Sequence, residues 1–129
     1  MLIVCAFILN SFVSAATVYP SFYFEFKDGS IPPPTYTYDV YYRIQNSGGT
    51  FFPSPGFWGA FTGYSQGVNY LLTDGARTVN PPAPPYPLRC YRIEVLVVRS
   101  DGEYRGGWSS WTDEAGLQNG SLQVNVNAF

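Results

Sequence analysis

Two pairs of carboxylates stand close enough in the sequence to share an acid–base task, Asp101 with Glu103 and Asp113 with Glu114. Such a pair could hydrolyse a glycosidic bond, one group protonating the leaving oxygen while the other attacks or activates water. Both pairs lie beside glycines in turn-like sequence, where carboxylates are solvated and lack the cleft that tunes a catalytic pKa. The chain contains no histidine, which removes serine–histidine triads, cysteine–histidine pairs and nearly all zinc sites. No Asp-x-Asp-x-Asp-Gly calcium loop is present, and the glycines lie among aromatics instead of opening a phosphate-binding helix. The expectation is a protein that is not an enzyme, with no catalytic residue, no metal and no cofactor.

Ring-bearing side chains are what the chain has in surplus: 10 Phe, 11 Tyr and 3 Trp, so that aromatics make up 19 % of it and charged residues only 12 %. The inward faces of its strands cannot use them all, and exposed tyrosine and tryptophan offer large contact area at little cost in side-chain entropy, which suits recognition. Phe57, Trp58, Phe61 and Tyr64, separated by Gly59 and Gly63, form the first candidate binding group. Their spacing fits neither the helical period nor strict alternation, so they read as an irregular loop or a bulged strand. Packing between sheets and an interface are both open to this group. An interface role for Trp58 predicts that Trp58→Ala weakens binding and leaves the melting temperature nearly unchanged. Tyr104, Trp108 and Trp111 form a second candidate group, for which a structural role is also open. Asn119-Gly120-Ser121 fits the N-glycosylation acceptor pattern, which also arises by chance in turns of this composition.

Strands must position these residues. In Ser21 to Lys27 the residues Phe22, Phe24 and Phe26 alternate with Tyr23, Glu25 and Lys27. Thr35 to Gln45 places Tyr36, Tyr38, Val40, Tyr42 and Ile44 on one face, and Thr50 to Phe52 is a short edge strand before Pro53-Ser54-Pro55-Gly56. A strand in Val68 to Thr73 stops at Asp74-Gly75, and Leu88 to Arg99 carries Tyr91, Ile93, Val95 and Val97 on one face. Asp101-Gly102 turns that strand into the next, and Ser121 to Phe129 alternates Leu122, Val124 and Val126 with Gln123, Asn125 and Asn127, a polar face that expects solvent. With 13 Gly and 11 Pro, and stiff connectors at Pro32 to Pro34 and Pro81 to Pro87, the chain predicts an all-β fold. The expected architecture is an antiparallel β-sandwich of about seven to eight short strands, a single domain over residues 17–129.

Residues 1–16 differ. Met1 to Leu9 is apolar and Val13-Ser14-Ala15 is small, the layout of a secretory leader cut after Ala15 or Ala16, without the usual basic start. The first charged residue is Glu25, but Asn10, Ser11, Ser14 and Pro20 interrupt a span that needs roughly 20 apolar residues. A membrane is therefore reached only through this segment, if it is retained. Removal of the leader would take Cys5 with it and leave Cys90 as a small buried hydrophobe or a bridge to another chain. A net charge of −2 with Lys27 as the only lysine leaves no basic surface for nucleic acid.

The run from Pro84 to Thr112 resembles the closing hairpin of fibronectin type III domains: prolines, a tyrosine-led strand Tyr91-Arg92-Ile93-Glu94-Val95, a turn, then Trp108. Trp108-Ser109-Ser110-Trp111-Thr112 is similar to the Trp-Ser-x-Trp-Ser box of haematopoietic cytokine receptors, with threonine for the final serine, and Tyr38 to Ile44 resembles the family's third strand. These matches cover under half of the chain. The resemblance implies an immunoglobulin/fibronectin III-like sandwich and, in the receptor family, arginines of the preceding strand stacked on the tryptophans. Here Arg92 is the arginine on that face, with Glu94 on the next rung; the paired receptor cysteines are absent and Leu122 to Phe129 adds a strand. One sandwich serves many functions. The expected role is a non-catalytic, secreted or surface-displayed module of adhesion or receptor type that binds a protein or glycan ligand. The alternative is a self-assembling structural subunit of a virion, pilus or extracellular filament, whose partners are copies of itself.

Overall fold

The computed structural model describes residues 6–7, 15–27, 36–64, 70–82 and 88–129. The fold is all-β, as expected, with no helix among the described residues. In chain order the strands are β1 (Ala6–Phe7), β2 (Ala16–Val18), β3 (Ser21–Phe26), β4 (Tyr38–Asn46), β5 (Phe51–Phe52), β6 (Trp58–Tyr64), β7 (Tyr70–Thr73), β8 (Arg77–Val79), β9 (Leu88–Arg89), β10 (Tyr91–Arg99), β11 (Tyr104–Ser109) and β12 (Leu122–Val126).

The main sheet has the order β5-β4-β10-β11-β12-β3-β7, with β6 also paired to β4; β1 with β9 and β2 with β8 form two small pairs. β4 and β3 are separated in that order by three strands, yet the rings of Tyr42 and Phe22 meet edge-on with centroids 5.3 Å apart. The sheet therefore curls back on itself, and its inner face closes over one apolar cluster. Alternation builds that cluster: Phe22, Phe24 and Phe26 of β3, Tyr38, Val40, Tyr42 and Ile44 of β4, Tyr91, Ile93, Val95 and Val97 of β10, and Leu122, Val124 and Val126 of β12 are all buried. Val18 of β2 and Val79 of β8 join them, so the small β2–β8 pair covers part of the same core.

Three features depart from the expectation. β12 and β3 run parallel, Leu122 opposite Phe22 through Val126 opposite Phe26, whereas every other strand pair among the described residues is antiparallel, so the sheet is mixed. A parallel neighbour needs a long crossover, which the chain between these two strands supplies. The strands also outnumber seven to eight, because β1, β2, β5, β8 and β9 are two or three residues long and too short to show a period. Finally, Cys90 is buried but disulfide-bonded, which corrects its reading as a lone small hydrophobe. The chain's other cysteine, Cys5, lies outside the described residues.

Local chemistry fixes the hairpin that carries Trp108. Gly102 adopts φ +93°, a backbone conformation that side chains with a Cβ rarely take, and its N–H donates to the Arg99 carbonyl at 2.8 Å. The Arg99 guanidinium straps the turn by donating to both Asp101 carboxylate oxygens, at 2.9 and 2.8 Å. In β6 the register to β4 shifts on both sides of Val40, the signature of a bulge. That irregularity explains why Phe57 to Tyr64 follows no period.

Candidate functional site

The outer face of the sheet is built by the residues that alternate with the core. Cross-strand register sets one row across five strands: Arg43 on β4 faces Glu94 on β10, which faces Trp108 on β11, then Asn125 on β12 and Glu25 on β3. Arg43 Nε donates to Glu94 Oε1 at 2.6 Å. Gln123 Nε2 donates to Glu25 Oε1, so the far end of the row is hydrogen-bonded as well.

Cations and rings interleave along this face. The Arg92 guanidinium lies 3.9 Å from the Trp108 ring centroid and 4.6 Å from that of Trp111. Arg43 lies 3.7 Å from the Phe51 centroid and 4.6 Å from that of Phe57, and Phe51 and Trp108 join the two groups at 6.2 Å. The order across the surface is Trp111, Arg92, Trp108, Phe51, Arg43, Phe57. Each such contact stabilises by about 0.5–2 kcal/mol, depending on how far water is excluded. Gln45 fixes the middle of the stack by accepting from Arg92 Nε at 2.9 Å.

Backbone geometry places Trp111. The Ser109 side chain turns inward, where its hydroxyl accepts from the Ile93 N–H at 2.8 Å and donates to the Ser110 carbonyl at 2.9 Å. This side chain takes over a ladder bond as the strand leaves the sheet. Tyr91 and Thr112 then exchange both backbone hydrogen bonds at 2.7 Å, which returns the chain to β10 and sets Trp111 beside Arg92.

Two grooves flank Trp108 and share it with Asn125. One, of about 460 Å³, runs toward Trp111, Ser110 and Gln123; the other, of about 440 Å³, runs toward Asn127, Glu94 and Lys27. Both volumes fall in the range of small-ligand sites, about 300–1,000 Å³. Glycines open the second groove. Gly106 supplies no side chain at the outward position next to Trp108, and Gly107 lets β12 approach so closely that a Cβ there would collide with the Asn125 carbonyl oxygen.

The two sequence-defined groups separate in space. Trp108 and Trp111 sandwich Arg92 and are half-buried, whereas Tyr104 stands at the hairpin tip, 66 % exposed. Phe57 is half-buried against Arg43 and so joins the same stack from the other side. Trp58 packs against the core, with its ring 5.2 Å from that of Tyr42 and the Arg77 guanidinium 4.7 Å from its centroid. Phe61 and Tyr64 lie on β6 opposite Val40 and Tyr38; their side chains are outside the described set. Asn119 is exposed, and its Oδ1 accepts from both the N–H and the hydroxyl of Ser121. Arg43 and Phe51 were not singled out in sequence, because their contribution depends on which strands become neighbours.

The close carboxylate pairs are engaged structurally. Asp101 holds Arg99, whose hydrogen bond pulls its carboxyl below the ordinary range; Glu103 meets Arg105 at 3.2 Å. Glu114 accepts from Arg89 Nε, and Asp113 Oδ1 accepts from the Gly116 N–H at 2.8 Å. A separate cluster ties β4 to the turn after β7: the Tyr42 hydroxyl donates to Asp74 at 2.6 Å and Arg77 donates to the same oxygen. Partial burial alone would raise the Asp74 carboxyl, but hydrogen bonds from Tyr42, the Gly75 N–H and Arg77 together hold it below the usual carboxylate range. The Tyr42 hydroxyl moves the other way, raised first by burial and then by its bond to Asp74.

Comparison with family models, curated proteins and solved structures returns no match to this chain.

Proposed function

We propose that the chain is a non-catalytic β-sandwich module of a secreted or surface-displayed protein, fibronectin III-like in its closing hairpin, that recognises a protein or glycan ligand. The observation that carries this reading is the outward stack of Trp111, Arg92, Trp108, Phe51, Arg43 and Phe57 beside two grooves. Rings held in place by guanidinium groups lose little further entropy when a ligand covers them, which favours binding over a mobile surface. Arg92 between two tryptophans is also the arrangement that the hairpin resemblance implies. Surface plasmon resonance tests the proposal, with the protein immobilised and a mucin flowed over it before and after enzymatic deglycosylation. Specific retention of either form, weakened in Trp111→Ala, is the expected result.

Assembly into a larger structure is the second reading, favoured by Leu71, which is 43 % exposed on the strand that ends the main-sheet order, and by Tyr19, 56 % exposed. Sedimentation velocity separates the two. A recognition module sediments as a small species at micromolar concentration, whereas a subunit forms large species that Leu71→Glu disperses.

A further inference from the structure

We infer that the paired grooves beside Trp108 are a saccharide site, in which a sugar ring lies against the part of the Trp108 indole that Arg92 leaves uncovered and the amides of Asn125, Gln123 and Asn127 engage its hydroxyls. This rests on the recognition reading above and names the ligand class for it.

The first argument is chemical. A pyranose presents C–H groups on its faces, which pack on an aromatic surface, and hydroxyls around its rim, which both donate and accept. The grooves match that division. Trp108 is common to both; in the first groove the side chains around it are mostly amides and hydroxyls, and in the second they are the amides of Asn125 and Asn127 with Lys27 and Glu94, groups that between them donate and accept. Asn125, common to both grooves and directly opposite Trp108 in the β11–β12 pair, is placed to reach a sugar beside the indole. Gln123 and Asn125 project from alternate positions of β12, Asn127 follows directly after its end, and all three are exposed, so their amides line the grooves from one strand and its continuation.

The second argument concerns what else could dock there. A peptide added as a strand needs an unpaired strand edge, but β11 lies between β10 and β12, and β12 between β11 and β3. The grooves thus cross the middle of a sheet whose backbone is already paired. A phosphorylated or nucleic-acid ligand needs clustered free cations; among the described residues Lys27 is the one cation lining the grooves and shares its groove with the Glu94 carboxylate, while Arg43 is engaged by Glu94 and Arg92 by Gln45. An amphipathic helix needs an apolar stripe, whereas the exposed positions along β12 are amides. Gly106 leaves the floor beside Trp108 flat, which suits a ring laid across it.

The indole N–H signals of Trp58, Trp108 and Trp111 provide a site-resolved readout by nuclear magnetic resonance of the ¹⁵N-labelled full chain. The probes are neutral oligosaccharides of glucose, mannose, galactose, xylose and N-acetylglucosamine, each titrated into the millimolar range, and in parallel the deglycosylated mucin polypeptide. At least one oligosaccharide should shift the Trp108 signal saturably with a Kd of about 1 mM or tighter, while Trp58 stays unmoved. Asn125→Ala and the double variant Gln123→Ala/Asn127→Ala should weaken that binding at least tenfold without changing the melting temperature. Because these amides are exposed, the variants keep the fold even if a Trp108 variant does not. Silence of Trp108 toward every saccharide overturns the inference, as does a shift that the amide variants leave intact. If the polypeptide alone moves Trp108, the saccharide inference falls and recognition stands. If neither probe does so and the protein sediments as large species, recognition falls as well.

Discussion

At the scale of single residues, Trp58 shows how partial burial divides two roles. Its spacing among glycines leaves a bulged strand or a loop, and core packing or an interface, all open; its ring leans on Tyr42 and carries Arg77. Truncation therefore removes core contacts: Trp58→Ala should cost about 2–3 kcal/mol, below the full range for a buried aromatic because the ring is only half-buried. Urea unfolding followed by circular dichroism measures it, and an unchanged midpoint would return Trp58 to the surface. Asp74 gives a second expectation. Its carboxyl is depressed in the folded state, so its contribution is fully present above the unfolded value of 3.8 and is lost as pH falls through the folded value. Stability measured from pH 7 down to pH 2 should thus drop less steeply in Asp74→Asn than in the parent, with the variant weaker at pH 7. Tyr42→Phe should share both effects, since the same hydrogen bond is removed from the other side.

At the scale of elements, β11 is the least tolerant strand because it must admit β12 on one side and carry Trp108 on its face. Gly107→Ala would drive a Cβ into the Asn125 backbone, a collision that no rotamer relieves. The expected loss is about 3 kcal/mol or more, with amide hydrogen exchange accelerated in β12 before β4 or β10. Uniform acceleration across the sheet would instead show that β12 does not open separately. The same strands show what was legible beforehand. β3, β4, β10 and β12 could be read with their inward faces correct, because an apolar residue at every second position leaves one solution for burial. Trp108 and Trp111 could be flagged, and so could Arg92. Pairing could not be read: that β12 lies parallel to β3, or that Arg43 reaches Phe51 and Phe57, depends on long-range register. The short pairs β1–β9 and β2–β8 stayed hidden because two or three residues carry no period.

At the scale of the whole molecule, the start of the chain is tied to its middle through a strand pair, and Cys90 beside that pair is disulfide-bonded. β1 pairs with β9, placing Ala6 opposite Arg89 and Phe7 opposite Leu88, and Cys90 follows β9 directly. Cys5 directly precedes β1 and is the only cysteine of the same chain with which Cys90 can bridge. A chain that loses residues 1–16 has no such partner, so its Cys90 can bridge only to another molecule. Peptide mapping of the natural protein under thiol-blocked, non-reducing conditions therefore reports on processing and assembly at once. The paired strands lead us to expect a linked Cys5–Cys90 peptide from a monomeric chain, together with a loss of roughly 2–5 kcal/mol on reduction, because the bridge would close a long loop. A processed chain that runs as a covalent dimer would overturn that expectation. It would also shift the balance toward assembly, since two copies joined at Cys90 would present two outer faces instead of one.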